Sequence, residues 1–296
     1  MRVRLLGILV ILFLVCWLSK VEAVPVYMNV AHDGYTGNAY DDDTYTSPFE
    51  SATILADTET TQWDTDSSGD LSVGDMFTDK GHAVWKGLSF IVDQGDNEGL
   101  NSGWIVTFTW DNLTGTTLGV TEDPTPDRKF QTIEYESGTL NFYFKQSYLA
   151  PGLGNTTRLT DDSSLIGQGI HFMTIEITGG TGTNTYELSS GNYLEGSAQL
   201  YGKVTYLEPD YIYLYPSGVD LNTYVMLNLV LAEANQNTQA DLIEQTNLGQ
   251  DGELYTVYSR HDGSMSLTIV PEPATILLLG GGLLAVAFVA RKSYSK

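Results

Sequence analysis

The sequence predicts a mainly β protein, built as an antiparallel β-sandwich of jelly-roll-like form. Apolar residues recur with a period of two along most of the chain, as in Trp104, Val106, Phe108 and Trp110. The apolar runs are short, and the 30 glycines contribute to turn signals at intervals of roughly 8 to 15 residues. Many short strands separated by turns are typical of two packed antiparallel sheets. We therefore predict one β-sandwich domain over residues 24–270, with a two-sheet or split arrangement as the alternative.

The first 23 residues have the three parts of a secretory signal peptide. Arg2 and Arg4 make a positive start, residues 5–18 are apolar, and Ala23 suits cleavage by signal peptidase after it. The only cysteine, Cys16, lies inside this segment. The exported chain therefore has no cysteine, which excludes a disulfide framework, cysteine catalysis and thiolate metal sites.

The predicted domain is strongly acidic. Eight of the 14 Lys and Arg residues and 35 of the 37 acidic residues lie in residues 24–270, which gives this part a net charge of −27. A surface of this charge repels nucleic acid and anionic membranes, and it attracts divalent cations. We therefore predict no nucleic-acid partner, and membrane contact only through the C-terminal segment.

Residues 64–75 carry the strongest chemical motif, Asp-Thr-Asp-Ser-Ser-Gly-Asp-Leu-Ser-Val-Gly-Asp. This segment resembles the calcium loop of EF-hand proteins, which places oxygen ligands at positions 1, 3, 5, 7, 9 and 12 and glycine at position 6. The resemblance implies that Gly69 makes the sharp turn and that Leu71 points inward. The ligands that it implies for Ca²⁺ are Asp64, Asp66, Ser68, Asp70 through its carbonyl, Ser72 and Asp75.

Two features of this loop depart from the EF-hand pattern. Position 12 is Asp75 instead of the longer Glu, and the flanking residues do not have a helical pattern. We therefore predict a loop inserted between strands, with a structural Ca²⁺ held at the affinity of about 10⁻⁴ to 10⁻³ M that extracellular modules show. The alternative is an Asp/Ser/Gly turn whose side chains cap its own backbone.

The other elements are predicted from alternation and turn residues. Gly-containing segments at 136–138 and 261–263 are interpreted as the turns of two hairpins, and 179–182 as a further turn. The predicted strands cover residues 26–30, 82–92, 104–111, 130–135, 139–145, 171–177, 198–206, 224–232, 253–260 and 265–270, and residues 234–246 are predicted to form a short helix or a long polar loop.

No catalytic constellation is evident in the sequence, and we predict that the protein is not an enzyme. The four histidines lack metal-ligand spacing, and no Gly-x-Ser-x-Gly or phosphate-binding loop occurs. Aromatic residues are the remaining signal. Tyr206, Tyr211, Tyr213 and Tyr215 would either form an exposed patch that stacks on a sugar or pack within the sheet, and packing is favoured.

The C-terminal segment has three successive parts: Pro271-Glu272-Pro273, an uncharged run over residues 274–290, and Arg291-Lys292. Proline lacks an amide donor, so the motif ends the last strand. As a helix, the uncharged run would be about 26 Å long, which is within the range that spans a bilayer. The basic end would remain in the cytoplasm.

These three parts, in this order, resemble the PEP-CTERM sorting signal of Gram-negative bacteria. The resemblance implies that Pro271, Glu272 and Pro273 are recognised by exosortase, a membrane-embedded cysteine protease-transpeptidase, and that Arg291 and Lys292 end the membrane segment. It also implies export, anchoring by the helix before processing, and a final place at the cell surface or in the extracellular matrix. The alternative is an ordinary tail anchor.

The resemblance, the charge and the calcium loop together favour a non-enzymatic matrix protein. PEP-CTERM proteins are associated with exopolysaccharide, and some resemble biofilm or floc factors. Divalent ions would bridge the acidic domain to acidic exopolysaccharide. The alternative is a carbohydrate-binding module or a carbohydrate-active enzyme on the same β-sandwich scaffold.

Overall fold

The computed structural model describes residues 23–31, 45–91, 99–101, 103–146, 165–246 and 252–270. Within these ranges the chain forms ten strands and one short helix. They are β1 (Val26–Met28), β2 (Phe49–Trp63), β3 (Met76–Phe90), β4 (Trp104–Asp123), β5 (Arg128–Gln146), β6 (Ile170–Glu187), β7 (Tyr193–Leu207), β8 (Ile212–Leu214), α1 (Asn222–Met226), β9 (Val230–Thr246) and β10 (Glu253–Ile269).

Eight of these strands form a closed antiparallel barrel. The order around the barrel is β2-β3-β4-β5-β6-β7-β9-β10, and β10 returns to pair with β2. The closing register runs from Glu253 opposite Trp63 to Ser266 opposite Ser51. The two short strands, β1 and β8, pair with each other, and β1 contacts β2 at Phe49. The predicted jelly-roll sandwich is therefore wrong, because one sheet closes on itself and leaves the eight long strands no free edge.

The sandwich prediction failed because glycines inside strands were interpreted as turns. The predicted turn at residues 136–138 lies within β5, the one at 179–182 within β6, and the one at 261–263 within β10. Glycine within a strand can mark a bend or a close approach of a neighbouring strand without ending the strand. Each of the two predicted hairpins is accordingly one long strand, β5 or β10, and β6 likewise continues through its predicted turn.

Two predictions near the C-terminus are also wrong. Residues 234–246, predicted as a helix or a polar loop, belong to β9, and the predicted strand at 224–232 is divided between α1 and the start of β9. Polar residues such as Asn235 and Asn237 alternate in β9 with small or polar ones such as Ala234. This alternation lacks large apolar residues, so it gives a weak strand signal.

The apolar core fills the half of the barrel that contains the start of β4 and the end of β5. Trp104 and Phe144 pack against each other there, and Phe108 stacks on Phe142 with ring centroids 4.5 Å apart. Tyr211, which precedes β8, closes this end and contacts Phe144. Burial of these aromatic rings supplies much of the hydrophobic stabilisation.

The outward-facing residues in the middle of β5 are polar. In β5, Gln131, Ile133 and Tyr135 are buried, whereas the alternating residues Thr132 and Glu134 are exposed. Barrels that cross a membrane have the reverse arrangement, with an apolar band outside and a polar interior. The exposed residues in the middle of β5 are therefore of the kind that contacts water.

No helix within the described ranges is long and apolar enough to cross a membrane. The predicted membrane helix over residues 274–290, the sorting motif at 271–273, Arg291 and Lys292 lie outside those ranges, as do residues 1–22 of the predicted signal peptide. Ala23, at the predicted cleavage site, is the first described residue and is partly buried.

Gly263 illustrates why a strand glycine matters for closure. A methyl group at this position would lie 2.2 Å from the backbone oxygen of Asn235 on β9. We expect Gly263→Ala to lower the free energy of unfolding by about 1–3 kcal/mol, because one of the two strands must move. Gly119→Ala is the matched control, since its nearest atom, Thr132 Cβ, is 3.9 Å away. Equal urea midpoints for the two variants would contradict this explanation.

Candidate functional site

The predicted calcium loop connects β2 to β3, so it is inserted between strands as expected. Its start is fixed to the residue that precedes β10, where the Asp64 amide donates to the Gly252 carbonyl at 2.7 Å. Gly69 has a φ of +78°, the left-handed conformation that favours glycine at the sharp turn. Leu71 is buried, as predicted for an inward-pointing apolar residue.

The carboxylates of the loop converge. Asp64, Asp66 and Asp75 each offer an oxygen within 4.8 Å of the others. The remaining predicted ligand atoms are adjacent in pairs. Ser72 Oγ lies 3.1 Å from Asp66 Oδ2, and Ser68 Oγ lies 2.9 Å from the Asp70 carbonyl oxygen. Crowded oxygens of this type suit Ca²⁺.

Backbone amides donate to all three of these carboxylates, including that of Asp66, which accepts from the Ser68 amide at 2.9 Å. The Asp75 carboxylate is fully buried and accepts hydrogen bonds from the amides of Ser72 at 2.7 Å and Thr65 at 2.9 Å. The Gly69 amide donates to Asp64 Oδ2 at 2.8 Å. Hydrogen bonds from Ser68 and then Ser72 lower the pKa of Asp66. The same contacts would also hold a self-capped turn, so a metal titration is needed to separate the two interpretations.

Asp70 has a separate role for its side chain. Its carboxylate lies 3.2 Å from the Lys129 ammonium, which also pairs with Glu122 at 3.3 Å. The Asp70 oxygen that lies beside another predicted ligand atom, Ser68 Oγ, is its backbone carbonyl oxygen. The arrangement is compatible with the predicted ligand set, in which position 7 contributes a backbone oxygen.

A polar cluster occupies the barrel interior near the loop. The buried Asp79 carboxylate accepts hydrogen bonds from Trp110 Nε1 at 2.6 Å and Thr60 Oγ1 at 2.9 Å, and burial raises its pKa to about 6. On β10, His261 Nε2 contacts Thr58 Oγ1 at 2.9 Å, and burial lowers the pKa of His261 to about 4. Both residues line an internal cavity of about 40 Å³, enough for a few water molecules. Sequence reasoning missed this cluster because its members come from strands far apart in the chain.

The outer face of the barrel carries a groove of about 310 Å³ across β10, β2, β3 and β4. Thr58 and Thr60 point into the barrel, so the alternating residues Asp57 and Glu59 face outward. The Glu59 carboxylate pairs with Lys80 at 2.9 Å within the groove. Asp57 forms a buried bidentate pair with Arg260, at 2.8 Å to Nε and 3.0 Å to Nη2.

The four tyrosines considered together in the sequence do not form one patch. Tyr211 is fully buried and stacks on Phe172, which confirms packing for this residue. Tyr213 stacks on Tyr27 with ring centroids 5.4 Å apart. The other two are exposed: Tyr206, which stacks on His171, and Tyr215.

The fold and its loop define an all-β protein with a closed eight-stranded antiparallel barrel and a cluster of acidic side chains between two strands. The C-terminal segment matches the family model for the PEP-CTERM protein-sorting motif over residues 270–292. The chain is therefore a PEP-CTERM domain-containing protein, as the resemblance implied. The motif is a recognition signal for exosortase processing, and it implies export.

The chain as a whole has weak similarity to proteins of known structure. No curated protein matches the chain. Among solved structures, Ail, the attachment invasion locus protein of Yersinia pestis, is 8% identical and has a TM-score of 0.16, with 73% of this chain and 97% of Ail covered. Ail in complex with the heparin analogue sucrose octasulfate gives the same identity and coverage, with a TM-score of 0.15. Scores this low carry no information about function.

Proposed function

We propose that this protein is a non-enzymatic component of the extracellular matrix or exopolysaccharide, delivered to the cell surface by its PEP-CTERM signal. The sorting motif at residues 270–292 is the observation that carries the proposal. The net charge of −27 over residues 24–270 and the polar outward-facing residues of β5 support a role in a hydrated, cation-rich matrix. Association with acidic exopolysaccharide in a biofilm or floc would then use divalent ions as bridges.

A structural Ca²⁺ in the 64–75 loop is part of this proposal. The mutual approach of Asp64, Asp66 and Asp75 supports it, because three carboxylates this close repel one another unless cations or amide donors offset their charge. Hydrogen-bond donors reach each of the three, and Ca²⁺ would add the balancing charge. The ion would fix the connection between β2 and β3.

Calcium is expected to raise the stability of the purified full-length protein. With free Ca²⁺ at about ten times its Kd, the gain is about 1.4 kcal/mol, because the ion binds the native state only. Asp66→Ala should abolish the calcium-dependent rise in thermal midpoint. Asp70→Asn is the matched control and should retain it, since the Asp70 carboxylate faces Lys129. A midpoint insensitive to both calcium and EDTA would contradict the site.

The matrix role is tested on cells. EDTA should release the protein from the surface or loosen cell aggregates, and the Asp66→Ala variant should be retained less well than Asp70→Asn. If neither chelation nor the Asp66→Ala substitution changes retention or aggregation, calcium-dependent matrix association is ruled out.

The second candidate function is carbohydrate binding, either as a binding module or within a carbohydrate-active enzyme. The outer groove favours it, because a concave site with several polar side chains is typical of small-ligand binding. The scaffold for either function is the closed barrel.

A further inference from the structure

The charges of the outer groove limit the ligands that it can hold. Lys80, a cation in the groove wall, has the Glu59 carboxylate 2.9 Å away, and Arg260 beside the groove is paired with Asp57. Burial lowers the pKa of His82, so its imidazole adds no charge near neutral pH. Asp111 is exposed and adds a negative charge. A phosphate, sulfate or uronate would therefore find Lys80, the one lysine or arginine that lines the groove among the described residues, already paired.

An apolar ligand is also disfavoured. It would remove water from the Glu59–Lys80 pair, whose side chains are 27% and 56% exposed, and burying charged groups costs free energy. A neutral polyhydroxylated ligand has neither problem. Its hydroxyl groups can donate to the Glu59 and Asp111 carboxylates and accept from the Lys80 ammonium.

An aromatic ring is available beside these polar groups. Tyr258 lines the groove and is 39% exposed, so part of its ring is open to a ligand. A pyranose ring can place its C–H groups against such a surface while its hydroxyls reach the neighbouring charges. The volume of about 310 Å³ is at the small end of the range for ligand pockets, which corresponds to one or two sugar rings.

We propose that the outer groove across β10, β2, β3 and β4 binds a neutral saccharide unit, with Tyr258 as the stacking ring and Glu59, Lys80 and Asp111 as the hydroxyl partners. This inference deepens the proposed role at a glycan-rich surface and rests on it for the source of the ligand. It assigns recognition of neutral sugar units of the matrix polysaccharide to the barrel wall, separate from the 64–75 loop.

Binding is tested by saturation-transfer difference NMR on the purified full-length protein in calcium-containing buffer. The neutral probes are cellobiose, maltose and N,N′-diacetylchitobiose. The charged probes are digalacturonic acid and inorganic phosphate, and binding of phosphate is followed by ³¹P line broadening. At least one neutral disaccharide should give saturation transfer at millimolar concentration, and neither charged probe should bind.

Three variants locate the site. Tyr258→Ala should weaken binding of the neutral disaccharide by roughly five- to tenfold, and Tyr258→Phe should retain it because the ring remains. Tyr201→Ala, at a 43% exposed tyrosine on β7, is the matched control and should bind as the wild type does. The Phe variant separates loss of the stacking ring from loss of the hydroxyl group, and the thermal midpoint of Tyr258→Ala shows whether that variant is still folded.

Any of three results would overturn the inference: no transfer to any neutral probe, binding of charged probes only, or unchanged binding by Tyr258→Ala. None of them bears on the chelation experiment. A protein that is released by EDTA but binds no neutral saccharide keeps its matrix role and loses this site. A protein that binds saccharide but is insensitive to EDTA keeps the site and loses the calcium-dependent role.

Discussion

Replacing Arg260 with methionine is expected to lower the free energy of unfolding by about 3–5 kcal/mol. Arg260 is on the outward face of β10, yet it is only 1% exposed, and it forms two hydrogen bonds to the Asp57 carboxylate. Asp57 is itself only 8% exposed. Removing the guanidinium leaves a buried carboxylate without its bidentate cation, and the cost of that buried charge accounts for the effect.

Lys80→Met is the matched control for this prediction. Lys80 also pairs with a β2 carboxylate, that of Glu59, but its side chain is 56% exposed. An exposed pair contributes at most about 1 kcal/mol, so this variant should unfold close to the wild type in urea. The double variant Asp57→Asn/Arg260→Met should recover part of the loss, because it removes both charges. An Arg260→Met midpoint no lower than that of Lys80→Met would contradict a stabilising buried pair.

The second large effect concerns pH, because Asp79 and His261 have opposite linkages to folding. Burial raises the pKa of Asp79 from 3.8 to about 6, so the native state binds the extra proton and its stability falls as pH rises through this interval. Burial lowers the pKa of His261 from 6.5 to about 4, so stability falls as pH drops through that interval. Each shift corresponds to about 3 kcal/mol. Between about pH 4 and 6 the contributions of Asp79 and His261 to the pH dependence of the unfolding free energy nearly cancel.

Single substitutions should separate the two contributions. Relative to wild type, the unfolding free energy of Asp79→Asn should increase by up to about 3 kcal/mol as pH rises from 4 to 7, because the variant lacks the buried negative charge. Its amide can still form hydrogen bonds with Trp110 and Thr60. His261→Gln should show the opposite trend, gaining as pH falls from 6.5 to 4. The measurement is the difference in unfolding free energy between variant and wild type at each pH. Differences that do not change with pH would rule out these linkages.

Much of the site chemistry could be predicted because it is encoded in consecutive residues. The spacing from Asp64 to Asp75 predicts that local backbone turns bring alternate oxygens together, and carboxylate oxygens of Asp64, Asp66 and Asp75 lie within 4.8 Å of one another. The sorting motif is likewise a short linear pattern, and the family match confirms it. Whether Ca²⁺ binds the loop stays a prediction.

The groove, the buried ion pair and the interior cluster could not be predicted in the same way. Asp57 and Arg260 are 203 residues apart, and they meet only because β10 returns to β2. The strand β2 itself was not recognised, since its inward-facing residues Thr58, Thr60 and Gln62 are polar and give no apolar alternation. A local sequence pattern cannot indicate a contact between residues so far apart in the chain.

The sequence by itself determined the β character, the acidic charge, the sorting signal and the spacing of the loop oxygens, because each depends on neighbouring residues and on composition. Only the tertiary structure decided that the sheet closes into a barrel. The reason is steric: a glycine such as Gly263 can end a strand or allow another strand to approach closely, and the position of Asn235 on the neighbouring strand determines which occurs.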